Sequence, residues 1–224
     1  MSRRFDLVIF DCDGTLVDSL GLIAHSMNLA MQEIGADVDL TQAQVADVVG
    51  LALDKAVNRL LPDSHAHLLD EAVAAYRKHF RILADAQTVD AGLFPGVHDT
   101  LKQLQASGVD MAVATGKSLQ GLKRNLQEHD LSAFFTWLKT AESAPSKPHP
   151  GMVEQILAES GADPDRVLMV GDTDYDMIMG RDAGVKTCAV SFGCHDRQRL
   201  ERAKPDFFVD TLSAVATLAL SDTA

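Results

Sequence analysis

Between about residues 17 and 88 the chain shows no strand pattern, whereas on both sides of that block short apolar runs alternate with stretches of helical period. Inside the block, Leu20, Ile23, Met27, Ala30, Met31 and Ile34 fall on one helical face, with Asp18 or Ser19 placed to cap its start and Gly35 to end it. Helical stretches follow at about 41–49, 53–60 and 64–85, the last striped by Leu68, Leu69, Ala72, Val73, Tyr76, Phe80 and Leu83. Upstream, 5–10 reads as a buried strand. Downstream, helices at 97–107, 119–129, 149–160 and 175–183 alternate with strands at 109–114, 134–139, 167–170, 187–191 and 207–209. Repeated units of this kind predict an α/β fold: a Rossmann-like parallel sheet with right-handed crossovers and helices on both faces. The expected organisation is a discontinuous core, 1–16 and 89–224, interrupted by an all-helical domain, 17–88.

With 224 residues, 46% of them hydrophobic, the chain can fill such a core and a smaller helical unit beside it. Its formal net charge of −12 opposes nucleic acid or an anionic membrane surface as the main partner. A small anionic substrate stays compatible, because a fixed lysine and a divalent cation reverse the field inside one cleft. Cysteines at 12, 188 and 194 are too few and too irregular for a disulfide framework or a zinc site, which predicts a reducing compartment. Met1-Ser2-Arg3-Arg4 runs straight into the first strand, with no signal core and no membrane-length apolar run. The expectation is a cytoplasmic protein, monomeric or dimeric.

The chemistry-bearing side chains collect at the predicted carboxyl ends of strands, the edge at which open α/β sheets bind ligands. Asp11-Cys12-Asp13-Gly14 follows the first strand directly. Two carboxylates two residues apart suit nucleophilic attack, proton transfer and the holding of a hard cation. A calcium loop shares the Asp-x-Asp-Gly start but needs a glutamate at its twelfth position, where this chain has Leu22. Thr115-Gly116 offers a hydroxyl and an unobstructed N–H, suited to phosphate oxygens or to an ordinary helix cap. Lys147 precedes Pro148-His149-Pro150, a stiff segment able to fix its ammonium against a carboxylate and a phosphoryl oxygen, although most lysines are solvated surface charges. After the strand at 167–170 comes Gly171-Asp172-Thr173-Asp174-Tyr175-Asp176, whose crowded carboxylates repel one another without a cation. Asp172 is placed as a direct metal ligand, and Asp176 to ligate through water or to orient Lys147. Asp174 would point away and complement the helix N-terminus.

In this order, Asp11-x-Asp13-Gly14-Thr15-Leu16, Thr115-Gly116, Lys147 and Gly171-Asp172-x-x-x-Asp176 resemble the four motifs of the haloacid dehalogenase-like hydrolase superfamily. The helical insert resembles the cap of its phosphoglycolate phosphatase-like branch, so the likeness runs over nearly the whole chain. It implies a Mg2+-dependent phosphatase acting on a small phosphorylated metabolite, phosphoglycolate or a sugar phosphate. Asp11 would attack phosphorus and form an aspartyl-phosphate; Asp13 would protonate the leaving oxygen and then activate water. Mg2+ would be held by the Asp11 carboxylate, the Asp13 backbone carbonyl and Asp172, while Thr115, Gly116 and Lys147 would bind the phosphoryl oxygens. Dehalogenases of this superfamily lack an acid at the Asp13 position. Phosphonate-cleaving relatives also depart there and use a cap lysine as imine former, for which this chain has Lys55 and Lys78. A phosphomutase would use the same aspartyl-phosphate but return the phosphoryl group to a second hydroxyl. A catalytically silent interaction protein of this fold would not need the intact set Asp11, Asp13, Lys147 and Asp172.

Specificity is expected in the cap, where Val49-Gly50-Leu51-Ala52-Leu53 links two helices and reads either as a turn or as a segment reaching over the cleft. Gly50, Leu51 and Lys55 are its candidate residues. Leu51 and Leu53 carry no charge for a substrate carboxylate, which leaves Lys55, Arg59 or Lys117 to supply one. Cys12 is expected to pack away from the cleft, His149 and His195 to stand isolated, and Trp137 to join the core.

Overall fold

The computed structural model describes residues 3–86, 89 and 91–221. β1 (Leu7–Phe10) is buried along its whole length, as a central strand covered on both faces must be. On one side it pairs with β2 (Asp110–Thr115), which pairs with β3 (Trp137–Thr140). On the other it pairs with β4 (Val167–Gly171), followed by β5 (Lys186–Val190) and β6 (Phe207–Val209). All five pairings are parallel and the order is β3-β2-β1-β4-β5-β6. The strand order reverses between β1 and β4, so a crevice opens beyond their carboxyl ends.

After β1, residues 20–86 build four α-helices: α1 (Leu20–Glu33), α2 (Gln42–Ala46), α3 (Leu53–Leu60) and α4 (Leu69–Ala86). The Ile23, Met27 and Met31 stripe of α1 meets Val45, Val49, Val57, Leu61 and Ala72 in an apolar cluster distinct from those of the sheet. Gly35, at φ +75°, ends α1, with the Ala36 N–H donating to the Met31 carbonyl. Thr41 and Gln44 form a capping box that starts α2. Two adjacent linkers carry the insert: Val17 bridges Leu93, the Asp18 N–H donates to the Gly92 carbonyl, and the Phe94 N–H donates to the Leu16 carbonyl. The boundary expected at 88 and the amino-terminal Met1-Ser2 lie outside the described residues.

Six helices cover the sheet: α5 (Val97–Ala106), α6 (Leu119–Glu128), α7 (Gly151–Ser160), α8 (Asp174–Asp182), α9 (Arg197–Arg202) and α10 (Leu212–Leu220). The two-residue alternation of β1 divides the core between faces. Val8 and Phe10 join Leu101, Leu122 and Val215 from α5, α6 and α10, while Leu7 and Ile9 join Met152, Ile156 and Met179 from α7 and α8. The strand expected at 134–139 begins instead at Trp137, after a 3-10 turn at Ser132–Phe134. Phe135 is apolar because its ring packs on Phe10, not because it lies in the ladder. The helix expected from 64 starts as a 3-10 turn, Asp63–Leu68, and α2 stops at Ala46, leaving 47–50 as a turn. α9 and α10 have no counterpart among the predicted helices; the first is too short to show a stripe, and the second is apolar or small on most faces. Among the described residues no helix is long and apolar enough to cross a membrane.

Candidate active site

β1 delivers Asp11 to the crevice, and the Asp11 N–H donates to the Val170 carbonyl of β4. Asp11, Lys147, Asp172 and Asp176 are fully enclosed. Lys147 Nζ lies 2.6 Å from Asp11 Oδ1 and 2.7 Å from Asp176 Oδ1. Helix capping puts Asp176 there: Thr173 caps α8, and Asp176 turns back so that its Oδ2 accepts the Thr173 N–H (3.0 Å) and hydroxyl (2.7 Å). Its other oxygen is left facing Lys147. Asp172 Oδ1 accepts the Thr15 hydroxyl at 2.8 Å and Oδ2 accepts the Cys194 N–H at 2.7 Å. Glycines allow that close packing. A Cβ on Gly193 would lie 2.2 Å from Asp172 Cβ, and one on Gly14, at φ +84°, 2.1 Å from Asp172 Oδ2.

Carboxylate oxygens of Asp11, Asp172 and Asp176 lie within 4.8 Å of one another, against the single ammonium of Lys147. Burial, reinforced by the charges of Asp176 and Asp172, holds the Asp11 carboxyl well above the usual range despite the opposing effect of Lys147. Asp172 is pushed up to about 6 by burial and then by Asp176, with the Cys194 N–H and Thr15 pulling the other way. Burial also works against the Lys147 charge, but Asp11 and Asp176 outweigh it and raise the ammonium above its ordinary value. Asp11 Oδ2 is buried with no partner among the described residues. A partnerless carboxylate oxygen beside two further acids is a donor set for a hard divalent cation, and Mg2+ fits these residues.

Asp13 is nearly buried and turns its carboxylate to Lys117. Its two oxygens lie 2.6 and 2.7 Å from Lys117 Nζ, and Oδ1 also accepts the Ser19 hydroxyl at 2.5 Å. Ser19 stands at the N-cap position of α1 but makes no capping bond; its hydroxyl donates to Asp13. Burial opposes the Lys117 charge, yet the Asp13 carboxylate raises its ammonium above the usual value. Thr115 is buried at the end of β2, its hydroxyl oxygen accepting the Lys117 N–H at 3.4 Å. Gly116 sits beneath the insert: a Cβ there would lie 2.3 Å from the Leu51 carbonyl oxygen and 2.5 Å from that of Gly50. The Ala52 N–H donates to the hydroxyl of Ser146, Lys147's neighbour, at 2.7 Å. Gly50 and Leu51 therefore close over the phosphate-binding candidates. Lys55 is exposed on α3 and does not line the cleft, Arg59 donates to the Tyr175 hydroxyl at 2.8 Å, and Lys117 is bound to Asp13. None of the three lysine and arginine candidates thus stands free in the cleft for a substrate carboxylate. A cavity of about 1280 Å³ lies between insert and core, with Asp13, Thr115, Gly116 and Lys117 in its wall.

His195, expected to stand isolated, is instead buried, with Nδ1 accepting the Asp174 N–H at 3.1 Å. Asp174 pairs with Arg199 at 2.8 Å; burial works against its charge, but His195 and Arg199 outweigh it and hold the carboxyl near 2. Cys12 packs in one core cluster and half-buried Trp137 against another, while His149 is exposed and its Nδ1 accepts the Gly151 N–H. Thr15, Ser19 and the Cys194 N–H escaped the sequence reading as site groups. Thr15 lies within the first motif string, and Gly193 follows β5 at the same edge where Gly116 follows β2, so both carried a signal. Ser19 carried none, because a serine before a helix looks the same whether it caps or not.

The family model described as haloacid dehalogenase-like hydrolase matches residues 8–190. A Dickeya dadantii protein named "Probable phosphatase IndB" is 33% identical over 95% of the chain and 93% of its own length. A phosphoglycolate phosphatase of Vibrio vulnificus is 30% identical over 97% of both. The fold superposes on the crystal structure of a "predicted phosphoglycolate phosphatase" from Haemophilus somnus with a TM-score of 0.83 at 25% identity, covering 96% of this chain and 98% of that one.

Proposed function

The chain belongs to the haloacid dehalogenase-like hydrolase family, and from that premise we propose that it is a cytoplasmic, Mg2+-dependent phosphatase that hydrolyses a small phosphomonoester through an aspartyl-phosphate on Asp11. The observation that carries this reading is the state of Asp11: one oxygen against Lys147, the other buried and partnerless, at the point where strand order reverses. Phosphoglycolate and sugar phosphates are the leading substrates.

In the first step the Asp11 carboxylate forms a bond to phosphorus while the ester P–O bond breaks, and Asp13 gives its proton to the leaving oxygen. In the second, Asp13 takes a proton from water, whose oxygen attacks phosphorus and releases phosphate from Asp11. Lys147, the Thr115 hydroxyl and the Gly116 N–H hold the phosphoryl oxygens, and Asp176 keeps Lys147 aimed at them. Mg2+ would be held by Asp11, Asp172 and the Asp13 carbonyl, and supplies neutralisation of charge building on the transferring group. An arriving dianionic phosphate competes for Lys117, and Asp13, so released, takes up from solvent the proton that it passes to the leaving oxygen. The helical insert, 17–88, serves as the cap that excludes water.

The test is phosphate release from a panel of phosphorylated metabolites with Mg2+ and with chelator. Release that requires Mg2+ supports the reading; no release from any member contradicts it. A mutase would instead isomerise a sugar phosphate in the presence of its bisphosphate, with little transfer to water.

A further inference from the structure

The cleft is far larger than a glycolate leaving group needs, and its outer wall carries charge of a sign unusual in a chain of net charge −12. Arg77 and Arg81 stand four residues apart on α4, both lining the cavity, and neither has a hydrogen-bond or ion-pair partner among the described residues. The other lysine and arginine in that wall are engaged. Lys117 binds Asp13, and Arg124 binds Glu128 at 2.6 Å and Asp85 at 2.5 Å. Of the acids in the lining, Glu142 Oε2 accepts the Leu119 N–H and only Asp54, on α3, has no partner among the described residues. Phe80, on the same helix, lines the cavity too, with Lys117 Nζ 5.5 Å from its ring centroid. In the same lining, the buried amide oxygen of Asn125 has no donor among the described residues, as a site for a hydroxyl-bearing ligand would leave it.

We infer that Arg77 and Arg81 form a distal anion subsite that selects phosphomonoesters whose hydroxylated leaving group carries a second carboxylate or phosphate. The inference rests on the phosphatase reading above. With the phosphate at Asp11, the leaving group runs past Phe80, offers a hydroxyl to Asn125 and places its far anion between the two guanidinium groups, which suit planar carboxylate and phosphate oxygens.

The test uses matched substrates with Mg2+: 6-phosphogluconate against glucose 6-phosphate, and fructose 1,6-bisphosphate against fructose 6-phosphate, with p-nitrophenyl phosphate as the common reference. The wild type is expected to prefer the doubly anionic member of at least one pair by about tenfold or more in kcat/KM. The pair showing the preference tells carboxylate from phosphate. In the double variant Arg77→Gln/Arg81→Gln that ratio falls about tenfold, mainly through KM, while Arg202→Gln, an exposed arginine on α9 outside the cleft, leaves it unchanged. A ratio near one in the wild type, or one unmoved in the double variant, while p-nitrophenyl phosphate is still hydrolysed, overturns the subsite alone. Failure of the wild type to hydrolyse any of the five compounds overturns the phosphatase reading and the subsite with it.

Discussion

Lys147 is the only cation touching Asp11 and Asp176 among the described residues, lying within 2.7 Å of both. Lys147→Met leaves that charge uncompensated and should destabilise the metal-free protein at pH 7.5 by about 3–5 kcal/mol. That corresponds to a fall of about ten degrees in Tm by circular dichroism; a fall under two degrees would contradict the assignment. Asp172 sets a pH dependence of defined sign. Its folded pKa of about 6 lies above the ordinary 3.8, so its contribution to stability is present below pH 4 and is lost as pH rises through 6. A divalent cation relieves the charge so created, and the rise in Tm on adding Mg2+ should be larger at pH 7.5 than at pH 5, with an equal or reversed rise telling against the site. At this scale Asp11, Asp13, Lys147 and Asp172 were legible because each sits beside a strand end, a glycine or prolines that the chain displays locally. The Asp13–Lys117 pair was not, because residues 104 apart in sequence meet only through the β1–β2 pairing.

Elements meet across the cleft through a few polar contacts in addition to packing. The Tyr175 hydroxyl of α8 donates to the Asp47 carbonyl and accepts from Arg59 of α3, while Arg199 binds both Asp174 and Asp47. With the Gly50–Leu51 turn pressed on Gly116, these contacts close the insert over Asp11, which has no exposed surface. Substrate entry therefore requires the insert to move about its paired linkers at Val17 and Leu93. Tyr175→Phe removes the latch at a cost of about 1 kcal/mol and should lower Tm by about 2–4 °C. If opening limits turnover, the same change raises kcat; an unchanged Tm would show that the contact contributes nothing. The insert was legible as helical because its stripes persist over several turns, whereas β3 and α9 were misplaced or missed because a few residues of apolar pattern serve turns, strands and short helices alike.

For the whole molecule, parallel pairing places the ends of β1, β2 and β4 side by side, and that alone brings motifs at 11, 115 and 172 together. The order of motifs carried the family, since each is weak singly and the set is not. The outer cleft was closed to sequence reading, because Arg77 and Arg81 look like solvent-facing charges until the insert is set over the sheet. With Arg77 and Arg81 unpaired among the described residues at its outer cleft, an anionic protein should still draw in anionic substrates, and raising ionic strength should lower kcat/KM for doubly charged substrates more than for p-nitrophenyl phosphate. The reaction itself turns on Asp11. The most direct measurement is steady-state phosphate release from p-nitrophenyl phosphate with Mg2+ by the wild type and by Asp11→Asn. The wild type should turn over and the variant should fall by at least about a thousandfold, whereas a variant within tenfold of the wild type would contradict attack by Asp11.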